Sequence, residues 1–119
     1  MRKGKMVAQG AHASMAVLLG RMDKGFSTQT TEGWMLRMEP GSALAQWLTG
    51  AFTKICVYVN SEQELLDIVA NANAAGVINA LITDNGLTEF NGVPTVTCCA
   101  IGPAYSNELE PITGHLPLL

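Results

Sequence analysis

The sequence predicts an α/β protein, a three-layer α/β/α arrangement in which a small mixed β-sheet is flanked by helices. Three observations point there. A long run near the start carries helical spacing. Two apolar, β-branched runs are separated by a well-capped helical segment. The 119-residue length fits one domain spanning residues 1–119.

The first helix is expected from about Gly4 to Leu19, because Met6, Val7, Gly10, Ala13, Ser14, Val17 and Leu18 fall at helical spacing and form one small-residue face. That face would let the helix lie close on a sheet. Lys5, Gln9, His12 and Ala16 fall on a different face. Residues 20–41 are rich in Gly, Thr and Met with weak periodicity, and read as a long loop or irregular excursion. Ser42 is placed to cap a helix containing Leu44, Ala45, Trp47 and Leu48 that ends near Gly50.

Lys54 to Val59, KICVYV, reads as a buried strand. Ser61 followed by Glu64 begins a capping box, Leu65, Ile68, Val69 and Ala72 make an apolar stripe, and Gly76 is a natural C′ residue. Val77 to Thr83 and Pro94 to Ile101 read as strands, with turns at Asn85-Gly86 and Asn91-Gly92 between them. The short link favours an antiparallel connection. A brief helix over Ser106 to Thr113, stopped by Gly114, closes the order; Pro111 inside it requires that helix to be short or to start late.

Composition excludes several classes. With 48% hydrophobic and 14% charged residues the chain is globular rather than disordered. No apolar run reaches the roughly 18 residues of a membrane span, and no apolar segment with a cleavage site follows the basic start. Cys56, Cys98 and Cys99 are odd in number and two are adjacent in a strand-like run, which suits reduced thiols in the cytosol better than a disulfide framework. Neither they nor the two histidines show metal-ligand spacing, so no metal or other cofactor is expected.

Charge is uneven. Residues 1–54 hold all seven Lys and Arg against three acids, and residues 55–119 hold seven acids and no Lys or Arg. Lys3 and Lys5 stand at a helix start, where cations oppose the macrodipole unless an anion binds there. A phosphate site and a solvated basic N-terminus both fit. Asp84 is a candidate base or water-orienting group, or equally a turn residue before Asn-Gly. Thr97 and Thr88 suit water positioning, hydrogen-bond donation to a carbonyl, or ordinary strand propensity. His12 is a possible base or a histidine satisfied by a neighbour. Trp34 and Trp47 are possible base-stacking residues, although Trp47 falls on an apolar stripe. No G-x-S-x-G elbow is present.

Four segments carry a resemblance: RKGKMVAQGAHA at Arg2–Ala13, ALITDNGLTEF at Ala80–Phe90, VPTVTCCAIGP at Val93–Pro103 and ITGHLPLL at Ile112–Leu119. In this order they resemble the type 2 peptidyl-tRNA hydrolase family over most of the chain. The resemblance implies cleavage of the ester that joins a peptide to tRNA, peptidyl-tRNA as partner, no membrane association, a cytoplasmic location and a possible homodimer. It implies catalytic roles for Lys3, Asp84, Thr88 and Thr97, and contacts to tRNA or its phosphates through Arg2, Lys5, Gln9 and His12. The family opens with a strand ahead of the lysine motif, whereas here that motif follows Met1 directly. A truncated, inactive form and a non-catalytic relative that binds RNA or protein are therefore the alternatives.

Overall fold

The computed structural model describes residues 1–27, 32–87 and 90–119. Eight elements follow one another: α1 (Lys3–Leu19), β1 (Met22–Ser27), β2 (Glu32–Leu36), α2 (Ala43–Thr49), α3 (Glu62–Ala74), β3 (Asn79–Asp84), β4 (Thr95–Ile101) and α4 (Ser106–Thr113). The α/β class holds. Where the sequence suggested one mixed sheet, the described strands form two antiparallel pairs, β1 with β2 and β3 with β4.

The β3–β4 pair is the middle layer. Ala80, Ile82 and Asp84 stand opposite Ala100, Cys98 and Thr95, on the face covered by α1. Leu81 and Cys99 are paired on the reverse face, as are Asn79 and Ile101. There Cys99 and Ile101 pack on a core of Ile68 and Ala72 from α3, Val77, and Ile112 from α4. Burying an Ile or Val side chain of this kind stabilises by roughly 1.5–3 kcal/mol. Ala72 has no exposure at all, so only a methyl fits where α3 crosses the strands.

The capping signals are used as expected. Ser61 Oγ accepts the Glu64 N–H at 3.1 Å and Ser42 Oγ accepts the Ala45 N–H at 3.2 Å. Gly76 takes a φ of +70° just past α3, and the Val77 N–H turns back to the Ala72 carbonyl at 2.9 Å. Val77 therefore belongs to the helix stop, which moves the start of β3 to Asn79.

Three expectations are corrected. Residues 22–36 contain an antiparallel pair rather than an irregular loop. Trp34 is 59% exposed, so β2 has no fully buried face to impose an alternating pattern on the sequence. Lys54–Val59 is not a buried strand. Ile55 is 72% exposed, and the backbone pairing of the segment is with the chain end, through a Val57–Leu118 bridge and the Tyr58 N–H to Pro117 carbonyl bond at 3.1 Å. Val59 alone of this run packs on the core, and Lys54 lies over the Trp47 and Phe52 rings. The composition suits burial, but composition does not supply the neighbouring strand.

The covered face of α1 is the third correction. Gln9, Ala13 and Val17 are buried, and Lys5 is half-buried above them. Met6, Val7 and Gly10 are exposed. The stripe that meets the sheet is led by two polar residues and set by their hydrogen bonds. An apolar count could not locate it. The closing helix has the expected bounds, Ser106–Thr113, and with Pro111 inside it stays short at eight residues. No helix among the described residues is long and apolar enough to cross a membrane.

Candidate active site

Asp84 is the last residue of β3, and its carboxylate is shared by three donors. Gly86 N–H donates to Oδ2 at 2.8 Å. Lys5 Nζ donates to Oδ1 at 3.0 Å, and Gln9 Nε2 approaches the same oxygen at 3.4 Å. The turn role and the site role of this aspartate therefore coexist: one oxygen organises Asn85-Gly86 and the other faces α1. Gly86 makes this possible. It has a φ of +82°, and a side chain there would strike the backbone of Val93.

Lys5 and Gln9 are four positions apart on α1, so both overlie the same end of the sheet. The Lys5 and Asp84 side chains are only 15% and 11% exposed. The hydrogen bond from Lys5 holds the Asp84 carboxyl below its usual value of 3.8. The Gly86 N–H and the charges of Lys5 and His12 act in the same direction, and desolvation opposes them. Asp84 is thus ionised throughout the neutral range.

Thr97 reaches the cluster through an irregularity in β4. Cys98 pairs with Ile82 and Val96 with Thr83, which leaves Thr97 as an extra residue between them. Successive strand residues ordinarily face opposite ways. Here Thr97 Oγ1 donates to Gln9 Oε1 at 2.6 Å, and the neighbouring Cys98 Sγ contacts the Gln9 carbonyl at 3.3 Å. The bulge turns both side chains toward α1. Burial pushes the Cys98 thiol up and raises Cys99 to about 11, the adjacent Cys98 adding to the latter. Both remain thiols at neutral pH and are poor nucleophiles.

Of the residues singled out in the sequence, the structure brings together Lys5, Gln9, Asp84 and Thr97. Lys3 is exposed, two residues before Lys5 on the same helix. Positions two apart on a helix point to nearly opposite sides, so the lysine beside Asp84 is Lys5. Arg2 is exposed at the N-cap of α1, and His12 is exposed on the same helix. Thr88 lies outside the described residues. The inward role of Gln9 was not evident from the sequence, although its spacing from Lys5 and Ala13 carries the signal. Nothing in the sequence marks the bulge.

A hollow of about 640 Å³ lies beside Arg21, Val77, Ile78 and Tyr105, at the opposite end of β3 from Asp84. The two ends of that strand are about 17 Å apart at the usual rise per residue. The hollow therefore does not contain the cluster. Among the described residues, no three His, Cys, Asp or Glu side chains are grouped to hold a metal ion.

Residues 1–119 match the family described as peptidyl-tRNA hydrolase PTH2. A peptidyl-tRNA hydrolase of Methanocaldococcus jannaschii is 38% identical over 119 residues, which is all of this chain and 90% of that protein. Those of Methanopyrus kandleri and Thermococcus onnurineus are 33% and 32% identical, over all of this chain and 88% and 87% of their own lengths. With the match running from the first residue to the last, the chain belongs to the PTH2 family of peptidyl-tRNA hydrolases.

Proposed function

We propose that this chain hydrolyses the ester between the peptide and the terminal ribose of peptidyl-tRNA, and that Lys5, Asp84 and Thr97 carry the reaction. The observation that supports this most directly is the shielded contact between Lys5 and the ionised Asp84 carboxylate, at 3.0 Å. In this reading water adds to the ester carbonyl carbon, the carbon–oxygen bond to the ribose breaks, and the ribose hydroxyl leaves with a proton.

An aspartate whose pKa lies below the ordinary range is a weak proton acceptor. Its role here is to orient the attacking water through the free lone pairs of Oδ2 and to stabilise positive charge as the water loses its proton. Lys5 supplies the cation for negative charge developing on the carbonyl oxygen. Thr97 holds the water or the ribose hydroxyl from the β4 side, and Thr88 is assigned a water-positioning role in the same reaction. Arg2 and Lys3, exposed at the start of α1, and His12, exposed midway along it, suit the phosphates of the acceptor end, aided by the N-terminus of the helix.

The same reading places the protein in the cytoplasm, where its substrate is found, and as a homodimer. The exposed apolar residues Ile55, Tyr58 and Leu118 support the second of these. Sedimentation of the purified chain tests it. The activity is tested by incubating the full chain with peptidyl-tRNA and measuring released peptide and free tRNA. Hydrolysis that Asp84→Asn abolishes is the expected result. RNA binding without any hydrolysis would overturn the reading.

A further inference from the structure

We propose that Gln9 is the positioning residue of this site, and that its side-chain amide makes the Thr97 oxygen an acceptor toward substrate. The proposal deepens the hydrolase reading and rests on it for its kinetic tests.

Gln9 is 6% exposed and is the one buried polar side chain among the described residues. Nothing in the apolar pattern of α1 demands it there. Both ends of its amide are used: Nε2 toward Asp84 Oδ1 at 3.4 Å, and Oε1 toward Thr97 Oγ1 at 2.6 Å. It therefore joins the carboxylate at the end of β3 to the bulged hydroxyl of β4 through one rigid planar group.

The direction of each hydrogen bond follows from the chemistry of the partners. An ionised carboxylate only accepts, so the group facing Asp84 must be the NH2. The carbonyl of Gln9 then faces Thr97, and a carbonyl also only accepts. The single hydroxyl hydrogen of Thr97 must point at Gln9. Its alternative acceptor, Cys98 Sγ, is 3.9 Å away, much weaker than an oxygen at 2.6 Å. What Thr97 offers to the open side of the site is lone pairs alone. It can accept from the attacking water or from a ribose hydroxyl, and it cannot donate to the carbonyl oxygen of the ester.

Gln9 also acts on Asp84. Its N–H adds a second donor to the oxygen that already accepts from Lys5, and it fixes the carboxylate plane so that Oδ2 keeps one direction toward water. A shift of that plane by an ångström is enough to cost on the order of 100-fold in rate.

The test combines kinetics with a titration that does not depend on turnover. Gln9→Met is expected to lower kcat on the order of 100-fold with KM nearly unchanged. It is also expected to move the acid limb of the kcat profile to higher pH, because Asp84 loses a donor that favours its ionised form. Thr97→Val should lose kcat to a similar degree while Thr97→Ser retains most of it, and the two losses should be far from additive in the Gln9→Met, Thr97→Val pair. A raised KM with unchanged kcat in Gln9→Met would assign Gln9 to RNA contact and overturn the proposal. Full activity of Thr97→Val would overturn it as well, and that variant leaves α1 intact should Gln9→Met fail to fold. The carboxyl carbon of Asp84, followed by NMR with pH in the wild type and in a folded Gln9 variant, separates this proposal from the reaction itself. An upward shift in the variant is expected even if no ester is cleaved. An unshifted Asp84 overturns the positioning role whatever the activity.

Discussion

Lys5 Nζ lies 3.0 Å from Asp84 Oδ1, which ties the first turn of α1 to the end of β3 across 79 positions of sequence. Each partner has a weaker role without the other. Alone, Lys5 is a cation placed unfavourably at a helix start. Alone, Asp84 is a turn residue. Together they set a shielded charge pair at the mouth of the sheet.

The two lysines of the KGK motif should separate in a kinetic experiment. Lys5→Ala is expected to reduce kcat by roughly 100-fold or more, as removal of a positioned catalytic group does. Lys3→Ala should chiefly raise KM for peptidyl-tRNA and make it less sensitive to salt, the signature of a phosphate contact. Steady-state rates at two salt concentrations check both.

Asp84 should leave a mark on acid stability. Its native pKa is lowered below 3.8, so the pairing stabilises the fold fully above the ordinary carboxylate range. That contribution is lost as pH falls below this range through the lowered native value. Thermal midpoints measured from pH 6 down to pH 2 should therefore fall more steeply in the wild type than in Asp84→Asn.

Gly86→Ala is expected to destabilise the protein by about 1–3 kcal/mol, because the φ of +82° and the nearby Val93 backbone both oppose a side chain. The loss of hydrolysis should exceed what unfolding explains, since the Gly86 N–H holds Asp84 Oδ2. Urea midpoints and rates on the same samples check this. A folded Gly86→Ala protein of normal activity would contradict it.

Thiol labelling should resolve the three cysteines. Cys56 is exposed and is expected to react quickly with an alkylating reagent at pH 8. A thiol raised to about 11, as Cys99 is, has a thiolate fraction on the order of 10⁻³ at that pH. Cys98 is likewise shielded. Mass spectrometry over time should show one fast label and two slow ones, with all three reacting together only in denaturant.

Elements marked by their ends were legible from the sequence. Ser42, Ser61 and Gly76 fix helix boundaries through bonds to their own neighbours, so local residues suffice to place them. Strands β3 and β4 were legible because their β-branched runs are flanked by Asn-Gly turns. Four features were not. The β1–β2 pair lacks a buried face, and Lys54–Val59 has the composition of an interior strand with little to pair against. The covered side of α1 is chosen by Gln9 and Lys5 through hydrogen bonds made 75 and 79 positions away. The bulge at Thr97 depends on how two distant strands fall into register. In the site, the motif residues were visible as types, but which lysine meets Asp84 depends on the rotation of a helix.

The pairing of β3 with β4 has a further implication for how this enzyme tolerates insertion and deletion. On either side of Thr97 the alternation of faces is unbroken: Thr95 with Asp84, Val96 with Thr83, then Cys98 with Ile82. Excising that one position would leave a continuous ladder, every other side chain keeping its present side. Thr97 is thus dispensable to the ladder itself, and its place in the fold is the bond it gives to the buried Gln9 carbonyl. A shortened chain lacking it should still pair β3 with β4 in register, at a cost of about 1–3 kcal/mol for the unpartnered Gln9 carbonyl, and be catalytically silent.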